Sequence, residues 1–317
     1  MNDLLKLLSR SLQPFGYHIR KYGAPNILKI PSLEKSANLH NIIALRKAAR
    51  AGFFPADSNL DQMVIYVRTC VRADRNIDAR PRVTGSDMGE NTLRCLRSLV
   101  TSTNNATKLG AIRLIILDDR SDPSFQGKIK AVAAKLQCPW SFEQTSETGQ
   151  GKSLHEQFGR ARTENAIVYF CEDDYLHEPD AVSVCWNFYR ETAARIGTHM
   201  MIYPQEHAVL YDDHYPSYIV TGAGRHWRTM RHATHTFLTH SMVVNEFWKY
   251  FENTKYVGVR KKRKLGSEAR TTNRLFKHIP GFSPIKPAAV HLQFENTLPP
   301  LYDWRPLWEA NAEGAGP

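Results

Sequence analysis

Between Met63 and Val182 the chain alternates short, continuously apolar runs with segments of helical periodicity, and this alternation limits the fold more than any other feature. MVIYVRT reads as a strand, and ENTLRCLRSLV after it repeats apolar residues at Leu93, Leu96, Leu99 and Val100 as a helix would. IRLIILDD is a second strand, followed by a helix around GKIKAVAAKLQ, and WSFEQ is a short third strand. SLHEQFGRAR then offers a helix with a capping box of Ser153 and Glu156, and with Leu154, Phe158 and Ala161 on one face. AIVYF is the fourth strand. Strands that are apolar throughout belong in a sheet covered on both faces, and interleaved helices make that sheet mostly parallel. The expected class is therefore α/β, and 42% hydrophobic residues among 317 suffice for a substantial core.

Ligands of such sheets bind beyond the carboxyl ends of the strands. Three of those ends carry polar residues: Thr69 and Arg72, then Asp118 and Asp119, then Glu172, Asp173 and Asp174. In AIVYFCEDDYLHEPDAV an apolar strand runs straight into three acids. Carboxylates this close repel one another and resist burial, so keeping them ionised calls for a cation or hydrogen-bond donors. Oxygen ligands suit hard divalent ions such as Mg²⁺ or Mn²⁺, which bind through one or two carboxylates plus a substrate's phosphates. A purely structural acidic loop is the alternative, since acids gather at helix N-termini and EPDAV opens a helix. The net charge of +11 favours anionic partners, whether nucleotide, nucleic acid or acidic lipid, without choosing among them. Part of that charge is the run Arg260 to Lys264, either a solvated loop or a phosphate-binding one.

The order of four segments resembles the GT-A nucleotide-sugar glycosyltransferases, family 2 in particular. MVIYVRT stands as the first strand, and LIILDDRSD is similar to that family's strand ending in an Asp-Asp-Gly-Ser loop. GQGKSLHEQFGRARTENAIVYFCEDD is similar to its helix leading into the D-x-D strand, and AAVHLQ holds a late histidine. The match covers about residues 62–182 well and the rest thinly. It implies a GT-A (Rossmann-like) mostly parallel central sheet with helices on both faces, plus a mixed acceptor-side C-terminal region. Residues 61–182 would be the nucleotide-sugar-binding half and 183–308 the acceptor-binding and catalytic half of the same domain. An N-terminal amphipathic helix and connector (1–60) would precede them, and a flexible tail (309–317) would follow. The implied activity is metal-dependent transfer of a sugar from a nucleotide-diphosphate donor to a hydroxyl of a saccharide or lipid-linked acceptor. Inversion goes with it, and a place in surface-polysaccharide synthesis at the inner membrane face would suit the basic N-terminal helix.

Carried over position by position, the resemblance gives Asp118 or Asp119 the nucleotide base, and a carboxylate can accept from a uracil or guanine ring nitrogen. The other of the pair would cap the turn. Arg120 stands where the family usually has glycine. Glu172-x-Asp174 resembles the D-x-D motif with Glu for its first Asp. Asp174 would hold Mn²⁺ or Mg²⁺, Glu172 and Asp173 the ribose or sugar, and Thr69, Arg72 and Lys152 other parts of the donor. His291 matches the family's C-terminal metal-ligand histidine. LGSEARTTNRLF resembles the segment with the catalytic acid, which makes Glu268 the general base, although Ala269 replaces the family's usual Asp. The basic run just upstream would form a lid over the diphosphate.

In GAGRHWRTMRHATHTFLTH, zinc is not expected, because the H-x-x-H pair His232 and His235 would point to opposite faces of a strand. Trp227 suits either an acceptor sugar or the core, and Arg228 or Arg231 an anionic group. Two rival functions remain. TGQGKS resembles a P-loop with Lys152 and Ser153 in the phosphate and magnesium roles, but Ser146 replaces the first glycine that loop requires. A basic nucleic-acid-binding module would explain the charge, yet acids occupy the strand ends where a polyanion would dock, so nucleic acid is not an expected partner.

Five scattered cysteines without a C-x-x-C pair suit a reducing cytosol better than a disulfide framework. No run approaches the roughly 20 apolar residues of a membrane span, and no signal region is evident, so a cytoplasmic protein is expected. MNDLLKLLSRSLQPFGYHIRKYG places Leu4, Leu5, Leu8 and Leu12 at helical spacing among cations. Such a helix either packs on its own domain or lies on an anionic membrane surface, which would make the protein peripheral at the inner face.

Overall fold

The computed structural model describes residues 59–72, 82–206, 211 and 219–314, with isolated positions 8, 11, 12 and 14. The amphipathic N-terminal segment, apart from those positions, and the connector helix NIIALRKAARAG lie outside the described residues. Strand β1 (Gln62–Thr69) pairs in parallel with β2 (Ala111–Asp118) on one side and β4 (Ile167–Glu172) on the other. Beyond β2 lies β3 (Trp140–Gln144), again parallel. From Met63 onward every residue of β1 is buried, because different helices cover its two faces. On one face Val67 and Cys171 line a small internal space with Cys95 and Leu99 of α1 (Met88–Ala106). On the other Tyr66 stacks on Phe170, which meets Phe158 of α3 (Gln150–Ala161) edge-on at 4.6 Å. Helices α2 (Pro123–Ala133) and α4 (Ala181–Ile196) pack beside α1. The continuous apolar runs are thus explained by burial on both sides.

Two helix starts show local chemistry deciding boundaries. Asp87 caps α1 by accepting from the Glu90 amide at 2.9 Å. The capping box expected at Ser153 and Glu156 does not form. The helix begins a turn earlier, where Asp119 accepts from the Gly149 amide at 2.9 Å and Gly149 adopts φ +108°, a value suited to glycine. Ser153 donates back to the Gly149 carbonyl, and Glu156 instead accepts from Ser146.

Past β4 the sheet continues through β9 (Phe237–His240), β6 (Met201–Ile202), β10 (Gly281–Pro284), β8 (Arg225–Thr229) and β7 (Ile219–Gly222). Here only β6 and β10 pair in parallel, which is the mixed region expected after residue 183. A separate antiparallel pair, β5 (Tyr175–His177) and β11 (Ala289–His291), sets Tyr175 opposite His291. Its Leu176 and Val290 form a second small core with Leu292, Trp304 and Trp308. Helix α5 (Arg305–Ala310) closes that core.

The C-terminal segment packs on α1. Arg94 of α1 donates to the Trp308 carbonyl at 3.0 Å and lies 4.5 Å over its ring, and Arg97 donates to the Asn311 carbonyl at 3.0 Å. All five cysteines are free thiols. Among the described residues no helix is long and apolar enough to cross a membrane.

Candidate active site

The parallel register sets the ends of β1, β2 and β4 side by side, with Thr69 opposite Asp118 and Arg68 opposite Glu172. Asp118 is fully buried and saturated: Thr69 Oγ1 donates to it at 2.8 Å, and the Ser121 amide and hydroxyl donate at 2.9 and 2.5 Å. It therefore acts as the turn-capping member of the acidic pair. Asp119 ties the same loop to the start of α3 through Gly149. Directly after the pair, Arg120 adopts φ +59°, a left-handed position that favours glycine.

Each acid at the end of β4 has its own protein donor. Glu172 pairs with Arg68 Nη2 at 2.5 Å, both side chains being mostly buried. Asp173 accepts from the Cys70 amide at 3.0 Å and from Thr92 Oγ1 at 3.4 Å. Burial and the neighbouring Asp174 push the Asp173 carboxyl up to about 6. Asp174 pairs with Arg82 Nη1 at 2.5 Å and faces His291 Nε2 at 3.3 Å. Burial opposes its ionisation, but His291 and Arg82 outweigh it and hold the carboxyl well below the usual range. The same contact outweighs burial at His291 and raises that imidazole.

The β5–β11 pairing carries His291 to this point, 117 positions from Asp174. Its ring stacks on Tyr175 at 4.5 Å, and its amide donates to Gln205 Oε1 at 2.6 Å. Gln205 in turn donates to the Thr297 carbonyl, which fixes the turn beyond β11. Asp174 Oδ1 and His291 Nδ1 are buried without a protein partner. One carboxylate and one imidazole suit Mn²⁺ as part of a set. Among the described residues no group of three or more such side chains is placed to hold a metal. An ion between Asp174 and His291 would take its other ligands from substrate phosphates, and the orphaned Oδ1 shows that the carboxylate has capacity its protein partners do not use.

The other expected residues divide. Glu268 opens a short 3-10 turn (Glu268–Arg270), with its side chain 44% exposed and Oε1 3.8 Å from His235 Nδ1. His235 is buried, which lowers its imidazole, and its Nε2 lies 3.3 Å from Thr271 Oγ1. Thr236 accepts from the Glu172 amide at 3.1 Å, and Thr234 shares a hydrogen bond with Tyr175 Oη at 2.7 Å. Residues 234–236 therefore join the acidic strand end to the Glu268 turn. Arg72 lies half-buried beyond β1.

Trp227 needs correction as an acceptor-facing ring. It is wholly buried, stacked on Phe188 at 3.9 Å, and its Nε1 donates to the Gly222 carbonyl, so neither ring face is open to a sugar. Arg228 is also buried, 3.8 Å from Glu206 and 4.8 Å over the Tyr211 ring. Lys152 pairs with Glu147 at the surface rather than facing the acids. Ser153 is fully buried against α3's own carbonyls, which leaves neither P-loop role filled.

Arg68, Arg82, His235 and Gln205 are the site residues that sequence reasoning missed. Only Arg68 carried a usable signal, since a parallel β1–β4 pairing sets it beside Glu172.

Residues 89–238 match the family model described as Glycosyl transferase family 2. No curated protein matches the chain. Among solved structures it is similar to S. aureus TarS 1-349, alone and in complex with UDP. Identity is 12% over 70% of this chain and 60% of that one, with TM-scores of 0.42 and 0.43. It is also similar to M. tuberculosis glucosyl-3-phosphoglycerate synthase, at 16% identity over 51% of this chain and 47% of that one, with a TM-score of 0.29. The chain spans at most three fifths of the length of these structures. The stretch that carries the Asp118 loop and the acidic strand end, residues 89–238, is thus glycosyl transferase family 2-like.

Proposed function

We propose that this chain is a glycosyltransferase that moves a sugar, with inversion, from a nucleoside diphosphate to a hydroxyl of a saccharide or lipid-linked acceptor. One observation carries the reading: Asp174 and His291, distant in sequence, meet at 3.3 Å beside the carboxyl ends of three parallel strands. Asp174 and His291 would hold Mn²⁺ or Mg²⁺. Bound there, the ion supplies positive charge against the departing diphosphate.

The chain's own residues have distinct tasks. Asp118 and Asp119 fix the loop that meets the nucleotide, and Glu172 and Asp173 face the ribose or sugar. Glu268 takes the acceptor's proton as the hydroxyl oxygen bonds to the anomeric carbon and the bond to the diphosphate breaks. Its half-exposed carboxylate can reach an acceptor, while the buried His235 holds it from beneath. The exposed basic run lies close to the start of α3. A Cβ on Gly151 would sit 2.5 Å from the Val257 carbonyl, so the chain leading into those cations presses on that helix end. We place the activity in surface-polysaccharide synthesis at the inner membrane face, a role supported by the basic, amphipathic pattern of the N-terminal sequence.

A thermal-shift panel of UDP, GDP and their sugars, with and without Mn²⁺, tests the scheme. Stabilisation that needs both nucleotide and ion is expected, and a flat response overturns it. Asp174→Asn should lower transfer by about 10²–10³-fold while the protein still melts cooperatively. Full activity in that variant would remove Asp174 from the site.

A further inference from the structure

We infer that Arg82 holds the ion position at Asp174 while no donor is bound, and yields it when a nucleoside diphosphate and a divalent cation arrive together. The inference rests on the reading of Asp174 as an ion ligand.

The contested atom is Asp174 Oδ2. Arg82 Nη1 lies 2.5 Å from it, and His291 Nε2 approaches the same oxygen at 3.3 Å. The guanidinium therefore bonds the very oxygen that faces the second proposed ligand. A dication and a guanidinium cannot both take that oxygen without close like-charge contact. Asp174 Oδ1 is buried and without a protein partner, so the carboxylate retains unused capacity at its other end.

Arg68, the cation beside the same strand end, is engaged with Glu172. Asp173 has the Cys70 amide and Thr92. Arg82 is thus the guanidinium set against Asp174. Its side chain is only 23% exposed, where water screens the attraction less than at an open surface. It reaches in from a turn just ahead of α1, closed by a Gly85 amide to Arg82 carbonyl bond at 3.0 Å with Gly85 at φ +68°.

A diphosphate resolves the competition. Its oxygens match the planar fork of a guanidinium, and they also supply the ligands that Asp174 and His291 cannot. Ion and diphosphate should then bind together, and the ion alone weakly.

The test is Mn²⁺ affinity, read by electron paramagnetic resonance on the full chain without nucleotide. Arg82→Gln should bind Mn²⁺ at least about tenfold more tightly than the native protein, because it removes the competing charge. Arg82→Lys keeps a charge but not the fork, and should shift affinity in the same direction by about two- to fivefold. Should the glutamine variant fail to fold, the lysine variant decides. Mn²⁺ affinity that is unchanged or weaker in the folded variants overturns the inference. UDP and GDP binding, measured with Mn²⁺ present in parallel, separates the two claims. Nucleotide binding with unmoved Mn²⁺ affinity sinks the role of Arg82 alone, whereas absence of both nucleotide and Mn²⁺ binding sinks the proposed function along with it.

Discussion

The two halves of the molecule differ in how they handle buried polarity. On the side of β1, β2 and β4, charges are set against charges: Arg68 with Glu172 and Arg82 with Asp174. Beyond β4 there is the buried Arg228–Glu206 contact, but several buried polar side chains are histidines held neutral. His199 and His240 stack at 4.5 Å inside the core, and His177 is buried at the seam between the halves. A site for an anionic donor needs fixed charge, and fixed charge needs partners on rigid strands. The side beyond β4, built from strands of two to five residues, carries histidines that fold best uncharged.

The sharpest way to break this contrast is to unpair a charge on the side of β1, β2 and β4. Arg68→Met leaves Glu172 mostly buried beside Asp173 and Asp174, and should cost about 3 kcal/mol of stability in urea denaturation. Combining it with Glu172→Met should restore most of that loss, since the damage lies in the orphaned charge rather than in the missing pair. A single-variant loss below about 1 kcal/mol would mean that the pair behaves like an exposed one.

The histidines give the complementary prediction. Burial lowers His199 and His177 to about 3 and His240 to about 4, from 6.5. Their folded values lie below the unfolded one, so the folded state binds fewer protons. The stability they provide is complete above pH 6.5 and is lost as pH falls toward the folded values. At pH 5.5 each should have cost about 1.4 kcal/mol relative to neutral pH. His240→Asn should remove one such share from the acid limb of the stability curve, its amide replacing the ring nitrogen that accepts from the Met242 amide. An acid limb identical to that of the native protein would show that the ring is not held neutral.

The same contrast explains what the sequence disclosed. Long strands buried on both faces announce themselves as apolar runs, and the parallel half follows from them. Strand β11 has three residues, and no periodicity could bring His291 to Asp174; only the resemblance to a family did. Arg82 sits in a turn without any pattern, so its contact with Asp174 appears only in three dimensions. Trp227 shows the limit of composition: an aromatic beside arginines suits a sugar wall or a core, and only the Phe188 stack decides. The capping box failed for a related reason, because Asp119, 30 residues away, had taken the Gly149 amide.

Arg120 offers the mildest test, and it concerns the loop after β2 alone. Its φ of +59° costs an ordinary L-residue about 1–2 kcal/mol, whereas glycine adopts it freely. Glycine also gains freedom in the unfolded chain, which returns about 0.5–1 kcal/mol of that relief. Arg120→Gly should therefore stabilise the protein by about 0.5 kcal/mol, a small upward move in the thermal midpoint. The side chain is exposed, so little packing is lost. A loss of nucleotide affinity in Arg120→Gly with stability intact would mean that the strained arginine is kept for the ligand, since the backbone alone prefers glycine there.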